Sequence, residues 1–185
     1  MGSNTELTIQ IANVVGEFHV RCHINLKRVA LNGSNVEYRR DKGMLVMKIR
    51  RPYVTASIRT SGFIQTTGSK SEEDAKTAAR RVARILQKLG FRVKFTSFKV
   101  KNVLGVVHLP FGVRVEDFCK KNRTASYDPE IHSGIKLELR EFGASMTIFS
   151  TGKITVLARS IESINKAVHH VWPLVHESKK DLTLS

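Results

Sequence analysis

Two short stretches of this chain are near-copies of each other. SIRTSGF (Ser57–Phe63) and TIFSTGK (Thr147–Lys153) share an Ile, a run of Ser/Thr and a Gly at the same offsets. The match reaches further. At an offset of 89, IANVVG (Ile11–Gly16) lies over VKNVLG (Val100–Gly105), setting Asn13 on Asn102 and Gly16 on Gly105, and Tyr38 falls near Tyr127. By the SIRTSGF motif the offset is 90, a one-residue slip in a loop. A direct repeat of this period, present twice, is too long for a solenoid and points to one pseudo-symmetric domain. The repeats are read as residues 7–95 and 96–182.

Both copies carry one pattern of elements. Leu7, Ile9 and Ile11 alternate in LTIQI, which predicts a strand. INLKRVAL follows as a short helix, with Asn25 as its N-cap and Asn32-Gly33 as its stop. MLVMKI (Met44–Ile49) and VTASI (Val54–Ile58) read as strands separated by RRPY, where Pro52 breaks pairing, and FIQTT leads to Gly68. Ser71-Glu-Glu-Asp74 is a capping box. Ala75, Ala78, Ala79, Val82, Ile85, Leu86 and Leu89 then recur at helical spacing until Gly90 closes the helix. In the second copy IKLEL (Ile135–Leu139), SMTIF (Ser145–Phe149) and KITVL (Lys153–Leu157) are strands. A terminal helix starts near Ile161, and Pro173 is expected to kink or split it. Strands with helices segregated to one face make an α+β layer, and they leave the other sheet face uncovered.

Charge suggests what an uncovered face would meet. The chain has 185 residues and a net charge of +15. Residues 1–95 hold 18 Lys/Arg against 7 Asp/Glu, and the remainder 13 against 9. Such a balance favours a polyanionic partner, nucleic acid above all. Helix 71–90 carries Lys76, Arg80, Arg81, Arg84 and Lys88, which serve equally as a solvated face or a binding face. The two cysteines, Cys22 and Cys119, are read as reduced and buried, in keeping with a cytosolic or nuclear protein. No apolar run approaches the roughly 20 residues of a membrane span. MGSNTELTIQ lacks the layout of a signal peptide, and Glu6 stands where a myristoylation motif wants Ser or Thr.

Catalytic and metal chemistry find little support. His19, Cys22 and His23 in HVRCH have no second pair at zinc spacing. His169, His170 and His176 fall on differing faces of the last helix. Asp128, Glu130 and Glu138 form a loose carboxylate group, and no nucleophile-elbow, H-E-x-x-H or phosphate-loop pattern is present. The expectation is a protein that is not an enzyme and uses no cofactor, metal or small-molecule substrate.

These residues add up to a resemblance. Asn13-Val-Val and Asn102-Val-Leu, the TSG and STG turns, ALNGSNVEY, TGSKSEEDAKTAARRVARILQKLGF, TSFKVKNVLG and ASYDPE together resemble the core of the TATA-box-binding protein (TBP) family. The likeness runs from about residue 7 to 180. It implies the α+β TBP saddle: two pseudo-symmetric halves forming a ten-stranded curved antiparallel sheet, with four helices on the convex side. In that family the concave face holds a bent DNA minor groove, and apolar wedges unstack base steps.

The departures from the family pattern carry the functional expectation. The four wedge positions, phenylalanines in TBP, are here Lys42, Arg59, His132 and Phe149. The resemblance implies DNA contacts at Asn13, Val15, Lys48, Arg59, Thr67, Asn102, Leu104, Phe149 and Lys153. Gln65, Ser145, Thr147, Thr155 and Leu157 differ from the family, and Glu138 replaces a family Arg. It implies TFIIA contacts at Ala30, Asn35, Glu37 and Arg50. TFIIB contacts would fall at Tyr127, Asp128, Glu130 and Ile131, in SYDPEI where the family has SYEPEL. Altered wedges beside retained partner positions resemble the TBP-like factors rather than true TBP, and a short N-terminus fits the vertebrate-type members of that group. The implied function is a nuclear general initiation factor for RNA polymerase II. It would bind TFIIA and TFIIB, act at TATA-less promoters and show little TATA-box specificity. Two alternatives remain open: a module that competes with TBP for TFIIA, and a divergent TATA-binding TBP.

Overall fold

A computed structural model describes residues 7–180. The N-terminal hexapeptide weighed above for acylation, and residues 181–182 at the end of the second repeat, lie outside the described residues. The chain divides into two compact units. One is residues 12–102; the other joins residue 103 onward to the first strand up to Ile11.

The elements run β1 (Ile9–His19), α1 (Leu26–Asn32), β2 (Val36–Arg39), β3 (Met44–Ile49), β4 (Val54–Arg59), β5 (Phe63–Ser69) and α2 (Glu72–Lys88). Then come β6 (Thr96–His108), β7 (Gly112–Val113), α3 (Val115–Lys121), β8 (Ala125–Ser126), β9 (Ile135–Leu139), β10 (Ala144–Ile148), β11 (Lys153–Ala158), α4 (Ile161–Glu177) and β12 (Lys179–Lys180).

In residues 12–102 the strands lie in the order β2-β3-β4-β5-β1, all antiparallel. Leu45, Met47, Ile49, Val54, Ala56, Ile58 and Ile64 are buried on one face. They pack with Ala78, Ala79, Val82 and Leu86 of α2 and Val29 of α1. Their neighbours at period 2 (Lys48, Thr55, Ser57, Arg59, Gln65 and Thr67) stand on the other face and keep contact with solvent. One row crosses the strands through the pairs Glu37–Val46, Val46–Ser57, Ser57–Gln65 and Gln65–Glu17. The register slips between Val14 and Gly16, a bulge opposite Gly68.

The helix ends form where local chemistry places them. Asn25 Oδ1 accepts from Arg28 N at 3.0 Å and starts α1. Ser71 Oγ accepts from Asp74 N at 3.0 Å and starts α2. At the far end of α2, Gly90 N donates to Gln87 O and Phe91 N to Leu86 O, which satisfies the last carbonyls.

In the other unit the order is β6-β11-β10-β9-β8, again antiparallel, and β12 pairs with β7. Ile135, Leu137, Met146, Ile148, Ile154 and Val156 are buried, as are Ile164, Ala167, Val168, Val171 and Val175 of α4, the helix that packs on β10 and β11. Among the described residues these two orders hold ten strands, β7 and β12 pair apart from them, and there are four α-helices, the α+β content expected.

Two expectations need correction. Helix α4 runs through Pro173 to Glu177 without being split, because Val171 and Val175 are buried on either side of the proline. Cys22 and Cys119 are free as expected but only partly buried; Cys119 keeps enough cover for burial to raise its thiol pKa. The second unit has its own short helix, α3, as the repeated pattern of elements and the implied four helices require.

Helix α3 is tied to the end of α4 through one carboxylate. Ser178 Oγ donates to Asp117 Oδ2 at 2.7 Å, and Lys121 Nζ lies 3.1 Å from the same oxygen. Lys121 Nζ also donates to Glu177 O, and Arg114 N to Ser178 O. The Ser178 hydroxyl, and after it Lys121, hold the Asp117 carboxyl below its ordinary pKa. A lowered carboxyl pKa stabilises the fold above the unfolded value of about 3.9, and that contribution is lost as pH falls through the folded value. Asp117→Asn should therefore lower the urea midpoint at neutral pH, and the gap to the parent protein should close below about pH 4. A gap that stays constant from pH 7 to pH 2 contradicts this assignment.

Candidate nucleic-acid interface and partner surfaces

On the open face of residues 12–102, β1 presents Asn13, Val15, Glu17 and His19 at period 2. The bulge fixes the first of these. Gly68 N donates to Asn13 Oδ1 at 2.7 Å, so the amide oxygen is occupied and the NH2 is left to donate outward. Lys48, Thr55 and Thr67 form one row by register across β3, β4 and β5. Arg59 is exposed at the end of β4, opposite Met44, and its side chain has no hydrogen-bond or ion-pair partner among the described residues. Lys42, also exposed, sits in a 3-10 turn just before β3. Lys70, by contrast, spends its ammonium on Ala12 O at 2.6 Å.

The other unit repeats this surface with different chemistry. Leu104, Leu157, Ser145 and Glu138 form one row; Val106, Thr155, Thr147 and Lys136 form the next. Ser145 Oγ donates to Glu138, and Lys136 Nζ donates to Thr147 Oγ1 at 3.0 Å. Leu157 is 43% exposed, large for a leucine on a strand. Asn102, the last residue of the unit 12–102, keeps its side-chain amide without a partner among the described residues.

The two near-copies are one turn built twice. Gly62 N donates to Arg59 O at 3.0 Å, and Gly152 N to Phe149 O at 2.9 Å. Both glycines have φ near +90°, at 86° and 93°. A Cβ would come within 2.5 Å of Cys22 O at the first and 2.2 Å of Phe111 O at the second. Glycine is therefore required at both, while the residue three positions earlier is free to differ. In one copy it is Arg59. In the other it is Phe149, whose ring lies beside His132 at a centroid distance of 6.0 Å. Lys153 is exposed across that turn, and its backbone oxygen accepts from Phe149 N at 2.9 Å. Phe63, its counterpart, pairs instead with His19 at 5.2 Å.

The residues expected to meet TFIIA converge. Ala30, Asn35, Glu37 and Arg50 line one open groove of about 370 Å³ with Lys48 and Tyr53. Arg39 grips Glu37 with two nitrogens at 3.0 and 3.3 Å and holds its carboxyl below the ordinary pKa. The residues expected to meet TFIIB share a single loop. Asp128 organises it: its Oδ1 accepts from Glu130 N, and its backbone oxygen accepts from Ile131 N and His132 N. The turn leaves Ile131 83% exposed and Tyr127 39% exposed.

Glu17 is the residue that the sequence reading missed. It is 8% exposed, yet it belongs to the open face. Gln65 Nε2 donates to its Oε1 at 3.2 Å, and Lys101 and Lys99 approach at 3.3 and 3.8 Å. The period-2 run Asn13, Val15, Glu17 was its available signal. Among the described residues there is no metal-ligand group, and no helix is long and apolar enough to cross a membrane.

A family model described as "Transcription factor TFIID (or TATA-binding protein, TBP)" matches residues 8–89 and 97–178. The chain belongs to the TBP family. Family members are transcription factors rather than an enzyme class. Within the family the chain resembles the TBP-like factors. It is 45% identical to TATA box-binding protein-like 1 of Danio rerio, with 98% of each chain covered. Identity to the TATA-box-binding protein of Emericella nidulans is 36%, over 97% of this chain and 67% of that one. TATA box-binding protein-like 2 of Mus musculus is 35% identical, and the chain spans half its length. Among solved structures, Methanococcus jannaschii TBP aligns with a TM-score of 0.79 at 26% identity, covering 91% of this chain and 98% of that one. The TBP saddle is thus the fold.

One steric detail of the TBP-family face is open to test. A Cβ on Gly134 would lie 2.5 Å from Thr147 Cγ2 and 3.1 Å from the Phe149 ring. Gly134→Ala should displace that ring and cost about 1–3 kcal/mol of stability, the usual penalty of overpacking. Urea unfolding of the variant checks this; an unchanged midpoint contradicts it.

Proposed function

We propose that this chain is a TBP-like general initiation factor for RNA polymerase II. It acts in the nucleus, binds TFIIA and TFIIB, and serves promoters that lack a TATA box. The observation that carries the reading is the Arg59 turn. It keeps the backbone of its Phe149 twin but holds a free cation instead of a ring. Unstacking a base step costs a few kcal/mol, and minor-groove proteins that kink DNA do it with inserted apolar wedges. Lys42 and Arg59 supply none. Affinity for DNA then comes mainly from phosphates met by Lys48, Arg59 and Lys153, and it is steeply salt-dependent. Asn13 and Asn102 donate to minor-groove acceptors, while Val15, Thr67, Leu104 and Phe149 give contact without selective hydrogen bonding. Repeats 7–95 and 96–182 are the two parts that carry these contacts.

The partner sites complete the role. The groove of Ala30, Asn35, Glu37 and Arg50 receives TFIIA. The loop that presents Tyr127, Asp128, Glu130 and Ile131 receives TFIIB, with Ile131 as its apolar anchor. The chain catalyses nothing and needs no cofactor. A second reading, competition with TBP for TFIIA without DNA binding, is favoured by how completely the groove residues converge.

Three measurements test the proposal. In a gel shift at physiological salt the protein should bind a TATA duplex and a scrambled duplex equally; clear discrimination overturns it. Affinity followed against salt separates the second reading, which expects little DNA binding at any ionic strength. Glu37→Arg should weaken TFIIA binding by about tenfold, the scale of one lost charged contact at an interface rim, with circular dichroism unchanged. Unaltered TFIIA affinity removes Glu37 from that surface.

A further inference from the structure

We propose that Glu17 makes the open face of residues 12–102 a reader of the guanine amino group in the DNA minor groove. The inference rests on the function proposed above, since that face must lie against DNA.

A carboxylate buried on a binding face is costly unless its oxygens are satisfied. Only one of them is. Oε1 accepts from Gln65 Nε2 at 3.2 Å and lies 3.3 Å from Lys101 Nζ. Oε2 has only the Lys99 ammonium, at 3.8 Å, beyond hydrogen-bond distance. Glu17 lines a hollow of about 520 Å³. The paired rings of His19 and Phe63 form part of its wall, and Arg21 and Lys99 stand beside them as cations. The hollow therefore combines a carboxylate oxygen that is ion-paired but accepts no hydrogen bond, the aromatic faces of His19 and Phe63, and phosphate-seeking charge.

Minor-groove chemistry says what fits. A·T and T·A pairs offer only acceptors there, whereas G·C adds the guanine N2 amino donor. An ionised carboxylate has no proton to give. It opposes adenine N3 and thymine O2 and accepts from guanine N2. Asn13, whose oxygen is held by Gly68, presents a donor on the same strand face. The two residues give β1 opposite preferences four positions apart.

The test uses the full chain and duplexes of three designs, the third in two versions, in fluorescence anisotropy at low salt. The first contains G·C pairs. The second replaces guanine by inosine, which deletes only the minor-groove amino group. The third is all A·T, with and without 2,6-diaminopurine in place of adenine, which adds that group. Inosine should weaken binding about fivefold or more, and diaminopurine should strengthen it to match, the low end of one base contact's discrimination. Glu17→Gln should erase both differences; if it melts early, Glu17→Thr replaces it. Equal affinity of the parent protein for the guanine and inosine duplexes overturns the inference. The double variant Lys48→Ala/Arg59→Ala tells the two failures apart. If its salt slope falls by about 1 per lost phosphate contact while inosine has no effect, only the Glu17 assignment fails. If affinity and slope do not change, the face is not on DNA and the underlying reading fails as well. Loss of a basic protein partner in Glu17→Gln, with no change in DNA preference, likewise overturns the inference.

Discussion

Burial under the long helix decides what each strand face can do. In residues 12–102, α2 packs on β4 and β5 and α1 on β3, so Leu45, Met47, Ala56, Ile58 and Ile64 are buried, and strand geometry sends every intervening side chain the other way. The core thereby fixes register. A slip of one residue would bury Lys48 and Arg59 and expose the apolar set. Because the buried apolar residues supply the core, the exposed side chains of Lys48 and Arg59 on the open face carry little of its stability. Chemistry can drift there at little cost in fold.

The drift differs between the repeats. In one unit the open face carries Arg59, Lys48 and the buried Glu17 cluster; in the other it carries Phe149, Leu157 and the Glu138–Ser145 pair. Neither set is neutral toward DNA. Glu17 and Glu138 are both engaged by neighbours, which lets a carboxylate sit on a face that belongs to a protein with net charge +15. The proposed partner surfaces obey a separate logic: they are built from an edge strand and a loop, where backbone turns at Asn35 and Asp128 place the side chains.

Much of this was legible in advance because period and punctuation are local properties. The Ser71 cap, the Asn25 cap, the Gly90 stop and the strands from Met44 to Ile58 follow from neighbouring residues and stand where expected. Pro173 misled because propensity speaks for a helix alone, and tertiary burial of Val171 and Val175 overrode it. Helix α3 was legible only through the repeated pattern, without bounds of its own, because much of its support lies elsewhere, in the Asp117–Ser178 clasp, 61 residues apart. Glu17 escaped for the same reason. Its neighbours in sequence are apolar, and its partners Gln65, Lys99 and Lys101 reach it only through strand pairing.

The paired turns at Gly62 and Gly152 carry a consequence for how such a protein changes over time. Each is locked by a glycine pressed against a carbonyl, at Cys22 in one and Phe111 in the other. The lock is indifferent to the side chain that opens the turn. A gene holding this unit twice owns two identical sockets, and a single codon can refit one with a cation while its twin keeps a ring. Novelty at these sockets comes without renegotiating the fold, so a duplicated architecture can trade one binding habit for another in steps that each leave a working protein.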